Sequence, residues 1–282
     1  MERKKSSTFA PAFAKNGALA QVVEQWTENP CVLGSTPRGT TRKTALRQSF
    51  LVIVNQHYTM NIKPIAYARN GFSQKFGIPR QSRDDSALLT RIVFEPEYRV
   101  REALRGLEGY SHLWLIWGFS ENHPTESWSP TVRPPRLGGN TREGVFATRS
   151  PYRPNPLGLS SVRLIRIEET ATEGLTLLVA GADLLNGTPI YDIKPYLSYT
   201  DAHPDARNGF AEATKDYRLE VEWEVPEPDE QTKSALEEIL SQNPAPGYQN
   251  DPERLYGLEY DGVEVHFSIA QNKVLVKKIK KF

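Results

Sequence analysis

Tyr110-Ser111-His112-Leu113-Trp114-Leu115-Ile116-Trp117-Gly118-Phe119 is the most apolar run in the chain. Aromatic and branched residues over so short a length predict a buried strand, not a helix. On its N-terminal side, Arg91-Ile92-Val93-Phe94 is a second strand candidate. Ile62 to Arg69 is a third, closed by Asn70-Gly71 as a turn. Between them, Tyr98 to Leu107 predicts one short helix ending at Gly106. On the C-terminal side, Val162–Ile167 and Leu175–Ala180 pair around Glu173-Gly174, and Asp183-Leu184-Leu185-Asn186-Gly187 turns the chain again. Strands this close in sequence point to a barrel or a sandwich.

Further along, Asp192-Ile193-Lys194-Pro195-Tyr196 precedes a polar stretch, Thr200 to Asn208, that reads as a linker. Beyond it Leu219, Val221, Trp223 and Val225 alternate. Asp229 is placed to cap a helix running to about Leu240. Tyr256–Tyr260, Val263–Ile269 and Val274–Ile279 form a meander. The expectation is a mainly β, α+β protein: a larger β domain over residues 60–205 and a small α+β domain over 206–282.

The composition agrees with that outline. A length of 282 residues suits about two domains. With 38% hydrophobic residues the chain can bury a core, and 21 prolines and 19 glycines favour loops and short strands over a bundle. Thirty-five basic residues against 34 acidic exclude a polybasic protein that grips phosphate by bulk charge. No run approaches the ~18 apolar residues of a membrane span. The lone cysteine, Cys31, excludes a disulfide framework and a cysteine-ligated zinc site. These features lead to the expectation of a cytoplasmic globular protein.

Residues 1–59 read differently from the rest. They hold Cys31 and 8 basic residues against 3 acidic, without sustained periodicity before Ser49. Leu19 to Gln25 is what TTA GCT CAG GTG GTA GAG CA encodes, and Gly34-Ser35-Thr36-Pro37 is what GGT TCG ACT CC encodes. These resemble the D-arm and T-arm of a transfer RNA gene. The expectation is a leader read through such a gene, with translation starting at Met60. The other reading is an ordinary disordered extension. Residues 60–282 alone carry 27 basic residues against 31 acidic.

Several features could carry chemistry. Between Lys75 and Lys194 there is no lysine but 13 arginines, Arg80 to Arg166. Arginine grips carboxylate or phosphate in two hydrogen bonds and stacks on bases. In Gly144 to Gly158, three prolines stiffen the backbone around Arg149, Arg153 and Asn155, as a preorganised polar site requires. Pro130 to Asn140, with Arg133 and Arg136, reads by itself as a flexible polyproline-type linker. No G-x-G-x-x-G follows a strand, and no P-loop is present. His112 reads as a satisfied core residue. His123, His203 and His266 lack metal-ligand spacing, so no metal is expected, and no Ser-His-Asp order appears. The lysines of the last ten residues read as a solvated face, or else as a contact to RNA phosphate.

Val132-Arg133-Pro134-Pro135-Arg136-Leu137-Gly138-Gly139-Asn140, followed by the Gly144 to Gly158 stretch, resembles the signature of the TsaA-like family. Ile78-Pro79-Arg80-Gln81, Ser111-His112-Leu113-Trp114, Asp183 to Pro189 and Asp192 to Tyr196 follow the family's order. The likeness is strong from Met60 to about Asp201. It implies a β-barrel cofactor-binding domain that uses S-adenosyl-L-methionine to methylate N6 of threonylcarbamoyladenosine at position 37 of tRNA. Cofactor contacts would fall on Pro79, Arg80, Gln81, Ser120, Glu121, Arg149, Leu159, Asp183, Leu184, Leu185 and Asn186. The implied partners are the tRNA anticodon loop and a second copy of the chain, with the site near the dimer interface. Ser120-Glu121 stands where relatives often show His-Gln, Asn186 where they often show Asp, and Ala245 where a tail motif usually carries Arg.

Methyl transfer from a sulfonium is an in-line displacement, so positioning supplies much of the acceleration. An acylated N6 is a poor nucleophile, and a group must accept its proton. Asp183, Asp192 and Tyr196 are candidates by position. Arg133, Arg136, Arg153, Asn155 and Lys194 are candidates for the threonyl carboxylate and anticodon-loop phosphates. The alternatives are a methyltransferase acting on another acceptor and a non-catalytic RNA-binding β-barrel module.

Overall fold

The computed structural model describes residues 61–121, 128–137, 139–245 and 251–282. The leader reading, His123 and part of the tail motif after Ala245 lie outside them. The strands are β1 (Ala66–Arg69), β2 (Leu89–Phe94), β3 (His112–Gly118), β4 (Thr131–Val132), β5 (Glu143–Gly144) and β6 (Leu157–Thr170). They continue as β7 (Gly174–Ala180), β8 (Pro189–Pro195), β9 (Glu220–Trp223), β10 (Tyr256–Tyr260), β11 (Val263–Ala270) and β12 (Lys273–Lys281).

Six of these strands close into one antiparallel ring in the order β1-β2-β7-β6-β3-β8, with β8 paired back to β1. Alternation fills its interior. Along β3, Leu113 and Leu115 are fully buried and Trp117 nearly so, while Trp114 and Ile116 face outward. Ala66, Ala68, Ile92, Val162, Leu177, Val179 and Ile190 complete the core. β6 is longer than its apolar pattern predicts because pairing with both β3 and β7 carries it from Leu157 to Thr170.

Three local expectations fail for identifiable reasons. Tyr98 to Leu107 is not one helix but part of three 3-10 turns. Val100 is extended between two of them, and Gly106 at φ 85° breaks the chain again. Pro130 to Asn140 is not a free linker, because β4 pairs with β5 in a small hairpin. His112 lies half-buried at the ring's rim, Nε2 2.7 Å from Asp84 Oδ1 and Nδ1 2.8 Å from Ser111 Oγ. Both ring nitrogens are satisfied, as the sequence reading expects, but at the rim and not in the core.

The C-terminal meander forms as expected and gains β9, which pairs in parallel with β12. Helix α1 (Ser198–Asp201) is a single turn; α2 (Glu230–Ser241) is capped by Asp229, which accepts hydrogen bonds from the Thr232 amide at 3.1 Å and hydroxyl at 2.8 Å. Its buried stripe is Ala235, Leu236, Ile239 and Leu240. Two lysines of the basic tail are paired: Lys273 with Glu220 and Glu222, and Lys277 with Glu224. Phe72 and Leu88, from the segments flanking β1 and β2, sit in this second core beside Leu236, Leu258 and Phe267. Residues 62–282 thus form one compact unit with two cores.

Candidate functional site

A cavity of about 520 Å³ is built from four separated segments: the loop after β1, the end of β3, the 149–159 stretch and the turn after β7. It brings together Pro79, Arg80, Gln81, Ser120, Glu121, Arg149, Leu159, Asp183 and Leu185, with Arg153 and Asn155 from the stiff loop.

The floor starts with a glycine. Gly158 stands directly opposite Trp117 in the β3–β6 ladder. The Trp117 ring lies across it, so closely that a Cβ on residue 158 would be 2.2 Å from the indole. That placement lets Trp117 Nε1 donate to Ser160 Oγ at 2.9 Å, and the Ser160 hydroxyl in turn donates to Asp183 Oδ1. Ser160 is buried. Burial pushes the Asp183 carboxyl above the ordinary carboxylate range, against the opposing pull of the Ser160 hydroxyl, the Ser82 amide and the Arg149 charge. The result is a carboxyl deep in the cavity with raised proton affinity.

The rim is polar and internally tied. Arg149 Nη1 donates to Gln81 Oε1, and Gln81 Nε2 donates to the Arg80 carbonyl. Lys75 Nζ reaches the Glu121 carbonyl at 2.9 Å. Arg153 Nη1 reaches the Thr148 carbonyl at 3.2 Å, and the Phe119 amide bonds to Pro156, fixing the stiff loop to the end of β3. The segment from Ser82 to Asp84 is strapped to the ring through the Arg83 amide on Gly181, Arg163 Nε on the Asp84 carbonyl at 3.3 Å, and the His112–Asp84 pair.

Other expected site residues lie elsewhere. Leu184 is fully buried in the ring core, so its side chain lines no cavity. Asn186 faces a second cleft of about 600 Å³ and accepts from the Asn70 amide at 3.3 Å. Asp192 and Lys194 form an exposed pair at 3.1 Å on β8. Tyr196 packs on the rings of His112 and Trp114. Arg133 is exposed beside the β4–β5 hairpin, and Arg136 lies in a 3-10 turn whose arginine side chain is outside the description. None of Asp192, Lys194, Tyr196 or Arg133 lines the cavity. Conversely, Lys75, Ile78, Trp117, Phe119, Pro151, Leu157, Gly158 and Thr188 line it without having been singled out. Ile78, Pro151, Leu157, Gly158 and Thr188 stand inside the quoted motifs, and Trp117 and Phe119 inside the apolar run. Among the described residues, no group of three or more His, Cys, Asp or Glu is arranged to hold a metal ion, and no helix is long and apolar enough to cross a membrane.

Comparison with known proteins agrees with this geometry. Residues 67–202 match the tRNA-methyltransferase O N-terminal domain, and residues 214–282 match the C-terminal domain of the same family. A tRNA (adenine(37)-N6)-methyltransferase of Eikenella corrodens is 45% identical over 177 residues, covering 60% of this chain and 97% of that protein. A putative S-adenosylmethionine-dependent methyltransferase of Pseudomonas aeruginosa is 41% identical over 222 residues, covering 74% and 92%. The crystal structure of TrmO from Pseudomonas aeruginosa superposes with a TM-score of 0.63 at 33% identity, covering 79% of this chain and 99% of that one. With both domain models matched in order and these relatives covered almost end to end, the chain belongs to the tRNA-methyltransferase O family.

Proposed function

We propose that the protein is an S-adenosylmethionine-dependent methyltransferase that methylates N6 of threonylcarbamoyladenosine at position 37 of tRNA. The observation that carries this reading is the single cavity joining Pro79-Arg80-Gln81, Ser120-Glu121, Arg149, Leu159 and Asp183. The family membership supports it, as do relatives named tRNA (adenine(37)-N6)-methyltransferase and S-adenosylmethionine-dependent methyltransferase.

The residues present fit the cofactor. A volume of about 520 Å³ lies in the range of small-molecule sites. Ile78, Trp117, Phe119 and Leu159 offer an apolar wall for a nucleoside, and Arg149 and Gln81 offer polar groups for a zwitterionic tail. When bound, the cofactor supplies a methyl group on a positively charged sulfur. Asp183 holds the other end of the chemistry. In this reading it takes the proton that N6 loses, and its raised pKa makes it a better base than an exposed carboxylate. Ser160 fixes the orientation of that carboxyl, and Trp117 fixes Ser160. Arg153 and Asn155, which line the rim, take the threonyl carboxylate in this reading.

In this reading the six-stranded ring is the β-barrel cofactor domain of residues 60–205, and residues 206–282 are the small α+β domain. The protein works in the cytoplasm on the tRNA anticodon loop as a homodimer with the site near the interface. Nucleoside mass spectrometry of tRNA from a deletion strain is the test. Loss of the N6-methyl group, restored by the wild-type chain but not by Asp183→Asn, is expected; retention of the methyl group overturns the reading. Light scattering tests the dimer, and a monomeric mass sinks that part alone.

A further inference from the structure

Arg69, Arg91 and Arg166, far apart in sequence, fall in one line across the outer face of the ring. Arg69 stands opposite Arg91, Arg91 opposite Leu178, and Leu178 opposite Arg166, across β1, β2, β7 and β6. A bulge between Leu164 and Arg166 brings Arg166 into the line. At about 4.8 Å per strand, the row spans about 14 Å. Like charges directly opposite one another weaken a ladder, so such a row is a cost to the fold.

Glu168 offsets part of it, accepting from Arg91 Nε at 3.2 Å and Arg166 Nε at 2.7 Å. No hydrogen bond to the terminal nitrogens of either arginine is formed among the described residues, and Arg69 makes no side-chain hydrogen bond or ion pair there. All three line the cleft of about 600 Å³ together with Lys281 from the end of β12. Of the two carboxylates in the same wall, Asp229 is engaged as the cap of α2; the other is Asp261. The turn after β7 separates this cleft from the cofactor cavity: Asp183 and Leu185 face one, Asn186 the other. Arg69 leans over that turn, its Nη1 4.0 Å from where a Cβ on Gly187 would stand.

We propose that this row, with Lys281, grips the phosphodiester backbone of the substrate tRNA next to the site that holds the target base. The inference rests on the methyltransferase reading above. Guanidinium groups whose terminal nitrogens are unspent match phosphate oxygens in pairs, and the wall shared with the cavity puts the grip beside the reaction. Because the chain carries 35 basic against 34 acidic residues, RNA must be held by such a local array and not by net charge.

The test is a double variant, Arg69→Gln with Lys281→Gln: neither side chain makes a hydrogen bond or ion pair among the described residues, and Lys281 loses only its through-space pull on Asp229. Fluorescence anisotropy with tRNA carrying threonylcarbamoyladenosine is measured across a salt series. The variant is expected to bind about tenfold more weakly, with a log–log salt slope shallower by about one to two. KM for tRNA rises while cofactor binding by calorimetry and the thermal midpoint hold, and Arg69→Lys with Lys281→Arg restores most of the affinity. Unchanged affinity and slope, in a variant compared with a wild type that binds and methylates tRNA, overturn the cleft proposal alone. A wild type that neither binds nor methylates tRNA overturns the methyltransferase reading and this one with it.

Discussion

Asp183 sits where burial and hydrogen bonding oppose one another, and burial wins. Its folded pKa therefore lies above the unfolded value. Between those two values the folded chain binds more protons than the unfolded one, so stability falls as pH rises through that window and stays lower above it. Asp183→Asn removes the ionisation. Thermal unfolding followed from about pH 3 to pH 8 should show the variant more stable than wild type at neutral pH, with the difference vanishing below the ordinary carboxylate pKa. A variant less stable than wild type at neutral pH, with the two matched at low pH, would show that the charge is supported, not merely tolerated. Arg149 behaves oppositely: it is exposed, and among the described residues its side chain bonds to Gln81. Arg149→Ala should leave the midpoint unchanged yet weaken S-adenosylmethionine binding about tenfold or more in calorimetry, the loss typical of a charged hydrogen bond. Unaltered affinity would remove Arg149 from the site.

At the scale of elements, the turn after β7 carries most of the design. Within four residues Asp183 faces the 520 Å³ cavity, Leu184 enters the ring core, Leu185 returns to the cavity and Asn186 turns to the second cleft. The start of that turn depends on Gly181, at φ 82°, where a Cβ would lie 1.9 Å from the Arg83 carbonyl oxygen. Gly181→Ala forces left-handed backbone on an alanine and pushes away the strap that follows Pro79-Arg80-Gln81. Destabilisation of about 1–3 kcal/mol together with weaker cofactor binding is expected, checked by denaturant unfolding and calorimetry; wild-type values for both would show the strap to be slack. Elements of this kind differ in how legible they are. The α2 cap at Asp229 and the alternation along β10 to β12 follow local rules, and the sequence reading places them within a residue or two. The 3-10 turns before β3 do not, because the weak helical pattern there is overridden by Val100 and Gly106. β4 and β5 are also illegible, since a two-residue strand has no period to detect.

Across the whole molecule, the second core is shared. Phe72 and Leu88 belong in sequence to the ring segment but pack among Leu236, Leu258 and Phe267. Ile78 and Leu185, both lining the proposed cofactor cavity, pack against the same cluster. A chain ended at residue 205 would expose those faces. Such a truncation should unfold at lower denaturant than the full chain and lose cofactor affinity, whereas residues 60–282 should unfold in one transition with equal calorimetric and van't Hoff enthalpies. Two separated transitions would mean that the cores are independent. The sequence by itself determined the mainly β character, the strands with regular alternation, the capped helix and the motifs whose order marks the family. Each of these is written in residues that are neighbours along the chain, where φ restrictions and side-chain period act directly. Only the tertiary structure decided which motif residues share a cavity, that Trp117 and Ser160 stand behind Asp183, and that three arginines line up across four strands. Those depend on ring closure, register and a bulge, and register couples residues as far apart as Ala66 and Ile190, over which no local preference carries information.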